Sequence, residues 1–274
     1  MCGIAGFIDF KQNSSMQHLH KMTDILYHRG PDASGYELIK KENYCLGLGH
    51  RRLSIIDLTE SGAQPMRFQE FWICFNGEVY NFKEIRVELE LLGHEFKSSS
   101  DTEVVLQAYS RWGSTCVDRF IGMFAFVIYN SSDGKVFCCR DRAGVKPFYY
   151  YFKDGLFLFS SELKSFHEHP RFERQLNLAA VSAFMQYGNV PTPHCIFQNC
   201  HKLKPGHFME FSIEEELSKE KFQPQNQISY WNVYDAYNKP KLGLSFEDAK
   251  NETEKILKNA CDYRMVSDVP VGVF

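Results

Sequence analysis

Short apolar runs separated by turn residues dominate the first two thirds of the chain. The run at residues 3–10 has the length and composition of a buried strand. Later runs flank short polar loops that contain glycine, and each such pair predicts a β-hairpin. The predicted strands are residues 3–10, 35–39, 44–49, 71–75, 123–129, 136–139, 148–152 and 156–159.

A helical spacing of apolar residues in four other segments predicts amphipathic helices. Ser14 or Ser15 can cap the first of them, and Gly30 and Pro31 are expected to end it. The predicted helices are residues 16 to about 28, 82–92, 102–112 and 245 to about 263. Antiparallel strands combined with amphipathic helices indicate an α+β fold, in which helices cover antiparallel sheets.

A change of composition predicts a domain boundary after residue 211. Residues 213–227 are rich in charged residues and glutamine, as is typical of a linker or an exposed excursion. We therefore predict one domain over residues 2–211, and a linker with the beginning of a second domain over 212–274. The final apolar run, residues 269–274, is predicted to be a strand.

Composition and charge exclude several classes of protein. Of the 274 residues, 44% are hydrophobic and 24% are charged, and the formal net charge is −3. This balance indicates no nucleic-acid partner and no polybasic membrane patch. No apolar run reaches the ~20 residues that a membrane-spanning helix needs, and the N-terminus lacks a signal peptide. Nine cysteines, an odd number, are expected to be reduced thiols in a cytoplasmic protein.

Cys2 becomes the N-terminal residue when Met1 is removed. It then carries a thiol and a free α-amino group, which supplies a nucleophile and a base in one residue. The amino group has a reference pKa of about 7.7–8.0, so that part of it is neutral at cellular pH. Position alone favours the simpler interpretation, a cysteine that merely follows the start codon.

Four features elsewhere could complete an acyl-transfer site around Cys2. The Asn76 side chain and the Gly77 backbone N–H could bind an oxyanion, although Asn-Gly is also a common turn. The guanidinium of Arg52 suits a carboxylate, although most arginines are simply exposed. Asp101 could accept hydrogen bonds from an ammonium group, although in isolation its position favours a cap of the helix that follows. Arg29–Asp32 could form a mobile loop over the site.

Two other clusters suggest different chemistry and are weaker. His194, Cys195, Cys200 and His201 offer metal ligands, but the intervening Ile-Phe-Gln-Asn does not resemble a turn, and we expect no metal there. Residues 141–147 follow a strand and contain glycine and lysine, but they lack the spacing of a phosphate-binding loop.

Taken in order, these motifs closely resemble the class II glutamine amidotransferase domain, in particular that of the glutamine-hydrolysing asparagine synthetase family. The resemblance covers about residues 2–210. The matching motifs are Cys2-Gly3-Ile4, Arg29-Gly30-Pro31-Asp32, His50-Arg51-Arg52-Leu53-Ser54-Ile55, Asn76-Gly77-Glu78, Ser100-Asp101-Thr102-Glu103 and Asp141-Arg142 with Gly144, Lys146 and Pro147.

The resemblance implies a four-layer αββα sandwich of the N-terminal-nucleophile hydrolases, followed by a truncated α/β synthetase domain. It assigns Cys2 as nucleophile, Asn76 and Gly77 as oxyanion hole, and Arg52 and Asp101 as clamps on the α-carboxylate and α-ammonium of L-glutamine. Leu53, Ile55 and Glu78 would line the same pocket. The glutaminase site would need no cofactor or metal, whereas ATP and Mg would serve the part of the synthetase domain beyond Phe274.

Three functional hypotheses follow. In the first, the chain hydrolyses glutamine, and a synthetase domain in cis uses the ammonia to make asparagine. In the second, an amidotransferase serves a different acceptor. In the third, a non-catalytic remnant binds glutamine without turnover. A homodimer is one possible assembly for each of them.

Overall fold

Two six-stranded antiparallel sheets form the centre of the protein. A computed structural model describes residues 1–217 and 226–272. The first sheet has the strand order β10-β8-β9-β1-β3-β2, and the second has the order β12-β11-β7-β6-β5-β4. The strands are β1 (Gly3–Asp9), β2 (Ala33–Lys40), β3 (Cys45–Arg52), β4 (Met66–Phe68), β5 (Phe71–Val79), β6 (Gly122–Asn130), β7 (Lys135–Arg140), β8 (Tyr149–Lys153), β9 (Leu156–Ser160), β10 (Cys200–Lys202), β11 (His207–Ser212) and β12 (Ile228–Ser229).

Seven α-helices are found among the described residues, and short 3₁₀ turns connect several of the elements. The helices are α1 (Met16–Asp24), α2 (Phe82–Leu91), α3 (Asp101–Trp112), α4 (Leu178–Tyr187), α5 (Ile213–Leu217), α6 (Val233–Tyr237) and α7 (Phe246–Arg264). None of the helices described is both long and apolar enough to cross a membrane.

Three apolar clusters separate four layers. Side chains such as Ile4 of β1 and Val127 of β6 fill the space between the two sheets. Leu19 of α1 packs on the outer face of the first sheet, and Leu106 of α3 packs on the outer face of the second. The order is therefore helix, sheet, sheet, helix, which confirms the predicted α+β sandwich of antiparallel sheets.

Several predicted boundaries were wrong, most importantly at β5. The run 71–75 was expected to end at a turn formed by Asn76 and Gly77, but β5 continues to Val79 and pairs with β6 along its whole length. Helix α1 ends at Asp24, before a 3₁₀ turn at Tyr27–Arg29.

The strand predicted at residues 269–274 is only partly covered by the described residues. Residues 269–272 form no strand and join neither of the two described sheets. The last two residues of that predicted strand lie outside the described residues, as does most of the predicted linker at 213–227.

Candidate active site

One cavity of about 370 Å³ opens where β1 begins, where β3 and β5 end, and where α3 starts. All eight residues predicted for the site line this cavity. They are Cys2, Arg52, Leu53, Ile55, Asn76, Gly77, Glu78 and Asp101. The structure thus brings together side chains that are up to a hundred positions apart in the sequence, as far as Cys2 and Asp101.

Strand pairing places Cys2 beside Arg52. The antiparallel register joins Gly3 to Arg51, and one further step along both strands brings Cys2 level with Arg52. The Cys2 Sγ lies 3.6 Å from the carbonyl oxygen of Leu53, and the Leu53 N–H donates to Sγ at 3.4 Å. Arg29 Nε donates to the Cys2 carbonyl at 2.9 Å. The first residue of the Arg29–Asp32 segment therefore contacts the predicted nucleophile residue.

Burial changes the protonation of both groups at the N-terminus. It raises the pKa of the Cys2 thiol, and the hydrogen bond from the Leu53 backbone opposes this effect. Burial lowers the pKa of the terminal ammonium, which belongs to Met1 in this chain. Burial therefore favours the uncharged form of each group.

The hydrogen bonds of β5 direct one backbone N–H into the cavity. Phe75 N–H donates to Gln64 Oε1 at 2.6 Å, and Val79 N–H donates to Asp101 Oδ2 at 3.0 Å. Both therefore point away from β6. Because backbone groups alternate sides along an antiparallel strand, the Gly77 N–H between them points the same way, towards the cavity.

Asn76 presents the second polar group. Its side chain is fully buried, and neither Nδ2 nor Oδ1 has a hydrogen-bond partner among the described residues. An unpartnered buried amide costs about 1–3 kcal/mol, so such groups are rare unless a ligand completes them. Asn76 and Gly77 thus offer adjacent donors to an atom bound in the cavity.

Charges of opposite sign line the same cavity. Arg52 is buried, and its Nη1 donates to the Thr59 carbonyl at 2.7 Å while Nη2 donates to the Asp57 carbonyl. Asp101 lies in the first turn of α3, where burial raises the pKa of its carboxyl to about 7. A cationic and an anionic group in one cavity suit a zwitterionic amino acid.

Lys146 is a further cavity residue that the sequence analysis did not assign. It is only 4% exposed, and its backbone N–H donates to Asp141 Oδ2 at 2.9 Å. Arg140 Nε donates to the Lys146 carbonyl at 2.8 Å, so the loop is held from both sides. Burial raises the pKa of the neighbouring Glu78, and the charge of Lys146 opposes this effect. The available signal for its burial in the sequence was that Lys146 lies between apolar Val145 and Pro147.

The metal-ligand cluster lies away from the cavity. His194 and His201 pair as an antiparallel bridge, and Asn199 between them has a positive φ of 58°. The expectation that this stretch does not turn was therefore wrong, since Asn tolerates the left-handed conformation that a turn needs. Cys195 and Cys200 are buried free thiols.

The layering and the thiol at the start of a central strand place the chain in the class of N-terminal-nucleophile folds. A solved structure of glutamine phosphoribosylpyrophosphate amidotransferase from B. subtilis, complexed with ADP and GMP, shares this fold. The likeness has a TM-score of 0.55 at 18% identity, and it covers 78% of this chain and 48% of that chain. Residues 1–223 match the family described as glutamine amidotransferase domain, and the chain belongs to this family.

Curated relatives extend the comparison. Asparagine synthetase [glutamine-hydrolyzing] 3 of Bacillus subtilis (strain 168) is 36% identical over 281 residues, which cover 100% of this chain and 43% of the relative. Amidase chry2 of Gibberella zeae is 31% identical over 291 residues, covering 100% of this chain and 40% of that protein. The chain spans about half the length of the curated relatives it matches.

Proposed function

We propose that this chain hydrolyses the side-chain amide of L-glutamine to glutamate and ammonia, with Cys2 as the nucleophile. The observation that carries the proposal is the unpartnered, buried Asn76 amide in the cavity that also contains the Cys2 thiol. A donor held in place before the reaction can stabilise charge that develops in the transition state without reorganisation.

The reaction begins when Met1 has been removed. The α-amine of Cys2 takes the thiol proton, directly or through a water molecule, and the thiolate attacks the amide carbon of glutamine. Asn76 Nδ2 and Gly77 N–H hold the resulting oxyanion. The protonated amine then returns the proton to the departing nitrogen, and ammonia leaves a thioester on Cys2. Water attacks the thioester, which releases glutamate and restores the thiol.

The charged cavity residues orient the substrate. Arg52 has guanidinium hydrogens beyond those that bind the Asp57 and Thr59 carbonyls, and these can bind the α-carboxylate. The Asp101 carboxylate accepts from the α-ammonium. Leu53 and Ile55 contact the aliphatic part of glutamine, and Glu78 contributes to the same wall. Fixing both ends of the substrate places its amide carbon near Sγ.

The test compares ammonia release by the chain and two cavity variants, after mass spectrometry shows that Met1 is absent. Cys2→Ala should abolish hydrolysis, and Asn76→Ala should lower kcat by about 10²–10³ through loss of one oxyanion donor. Cys261→Ala, which removes an exposed thiol in α7, is the matched control and should keep full activity. Full glutaminase activity in Cys2→Ala would refute the proposal. Glutamine binding without ammonia release by the unsubstituted chain would instead support a binding role.

We further propose that a longer protein uses the ammonia to convert aspartate to asparagine with ATP and Mg in a synthetase domain. The similarity to a B. subtilis asparagine synthetase over the whole chain supports this acceptor. Because a relative at 31% identity is named an amidase and not an asparagine synthetase, the second candidate is an amidotransferase with a different acceptor. Asparagine formation by the full-length gene product, supplied with glutamine, ATP and aspartate, distinguishes the two.

A further inference from the structure

Asp57 links the two predicted ends of the glutamine site. Its main-chain carbonyl accepts from the Arg52 guanidinium. Its carboxylate accepts from the Ser99 N–H at 2.9 Å, just before α3, the helix that carries Asp101. The same carboxylate accepts from the Thr59 N–H at 3.0 Å. The position of Asp57 therefore affects the positions of both Arg52 and Asp101.

A segment far along the chain holds Asp57 in place. Asp268 Oδ2 accepts from the Asp57 N–H at 2.8 Å, and the Asp268 N–H donates to the Ile55 carbonyl at 2.9 Å. These two bonds flank Ile56, which lines the cavity together with Ile55. Asp57 has a positive φ of 55°, a conformation that a non-glycine residue keeps only when its surroundings hold it.

The residues before Asp268 are also attached to the amidotransferase unit. The Tyr263 hydroxyl donates to Glu84 of α2 at 3.1 Å. The Arg264 guanidinium lies 5.5 Å from the centre of the Tyr80 ring, and Val266 packs against the core cluster beneath α2 and α3. Asp268 therefore approaches the cavity from a segment with its own contacts.

We infer that Asp268 is a positioning residue for glutamine binding. It fixes residues 55–57, and the Asp57 carbonyl in turn holds the Arg52 guanidinium where the α-carboxylate of glutamine binds. The docking of the segment after α7 thereby sets the affinity of the cavity for glutamine. This inference rests on the proposed glutaminase function and adds to it a control of substrate affinity by residues outside the cavity.

The alternative is that Asp268 only anchors its own segment. The two readings differ in kinetics, because a positioning residue for the carboxylate clamp affects KM and leaves the chemistry at Cys2 intact. An anchor changes the stability of the segment and leaves KM unchanged. Tyr263 supplies the matched control, since its hydrogen bond attaches the same segment without touching residues 55–57.

The experiment measures glutaminase kinetics of the full chain and its variants. Asp268→Ala should raise KM for glutamine about ten-fold, with kcat within about two-fold, because a charge-assisted hydrogen bond is lost. Asp268→Asn keeps an acceptor oxygen and should stay close to the unsubstituted chain, and Tyr263→Phe should leave KM unchanged.

A second readout separates binding from turnover. Iodoacetamide should alkylate Cys2 of Asp268→Ala at the normal rate, whereas about ten times more glutamine should be needed for half-protection. If Asp268→Ala does not fold, Asp268→Ser replaces it with the same expectation, because its hydroxyl is too short to reach Asp57. An unchanged KM in the alanine or serine variant overturns the inference. A lack of hydrolysis by the unsubstituted chain overturns the proposed function instead.

Discussion

At the scale of single residues, Asp101 is the proposed clamp on the substrate whose charge changes near neutral pH. Burial raises the pKa of its carboxyl to about 7, the neighbouring charge of Glu78 also raises it, and the hydrogen bond from Val79 opposes the shift. Because the pKa is raised, the carboxyl is neutral below about pH 7 and charged above it. In the proposed function, only the charged form pairs with the ammonium of glutamine.

Glutamine affinity should therefore fall as the solution is acidified. We expect the glutamine concentration that half-protects Cys2 from alkylation to rise about ten-fold per pH unit below about pH 7, and to level off above it. Comparison with Asp101→Asn separates the titration of Asp101 from that of the Cys2 amine, which both chains retain. Asp101→Asn should bind glutamine weakly and without this pH dependence. An unsubstituted chain with constant affinity between about pH 5.5 and 8 would contradict the role of Asp101.

The two proposed clamp residues and Lys146 illustrate how far the sequence predicts the cavity lining at this scale. Arg52 and Asp101 stand in motifs that resemble those of a known family, and each lines the cavity. Lys146 also stands in a matching motif, and its apolar neighbours Val145 and Pro147 indicate burial but not the cavity that its side chain lines. Its burial depends on Asp141 and Arg140, whose side chains hold the loop through hydrogen bonds that no sequence spacing encodes.

At the scale of elements, β5 positions the proposed oxyanion donors because it does not turn at Asn76 and Gly77. Asn-Gly favours a hairpin turn when nothing else competes. Here each residue from Phe71 to Val79 has a partner in β6, and the ladder outweighs the local preference. The first part of β5 was predictable from its apolar run. Its continuation to Val79 depends on pairing with β6, a strand that comes much later in the chain.

Gly77 is required by the close approach of β6. A Cβ at this position would overlap the carbonyl oxygen of Met123 and the backbone of Phe124, which cannot move without shifting the strand. We expect Gly77→Ala to lower the free energy of unfolding by about 1–3 kcal/mol, as overpacked cores do. It should also lower kcat, because the displaced N–H no longer points at the oxyanion.

Urea denaturation and glutaminase assays measure both effects of Gly77→Ala. The matched control is Gly243→Ala, since no atom lies within 4 Å of a Cβ built there. The control should change neither the unfolding free energy nor kcat appreciably. If Gly77→Ala unfolds like the unsubstituted chain and keeps its kcat, the tight pairing between β5 and β6 does not position the donor.

At the scale of the whole molecule, residues 226–272 contact the two-sheet sandwich in two places. In the first, β12 pairs with β11, and the Tyr230 hydroxyl donates to the Arg140 carbonyl at 2.8 Å while its ring packs on the core. In the second, residues 263–268 contact α2 and the loop that follows β3. The domain boundary after residue 211 stays a prediction, and sequence composition could not reveal either contact because both join distant segments.

Two shortened chains separate these contacts. A chain of residues 1–217 retains the three core clusters but lacks Tyr230 and Asp268. We expect its free energy of unfolding to fall by about 1–2 kcal/mol, part of the value for fully burying a large apolar side chain, and its KM for glutamine to rise. A chain of residues 1–232 retains β12 and Tyr230, so its stability should recover while its KM remains high.

Urea denaturation and glutaminase kinetics on both chains test this separation. Recovery of a normal KM in the 1–232 chain would show that residues beyond 232 do not act on the cavity, because the stability and affinity effects would then share one origin at Tyr230.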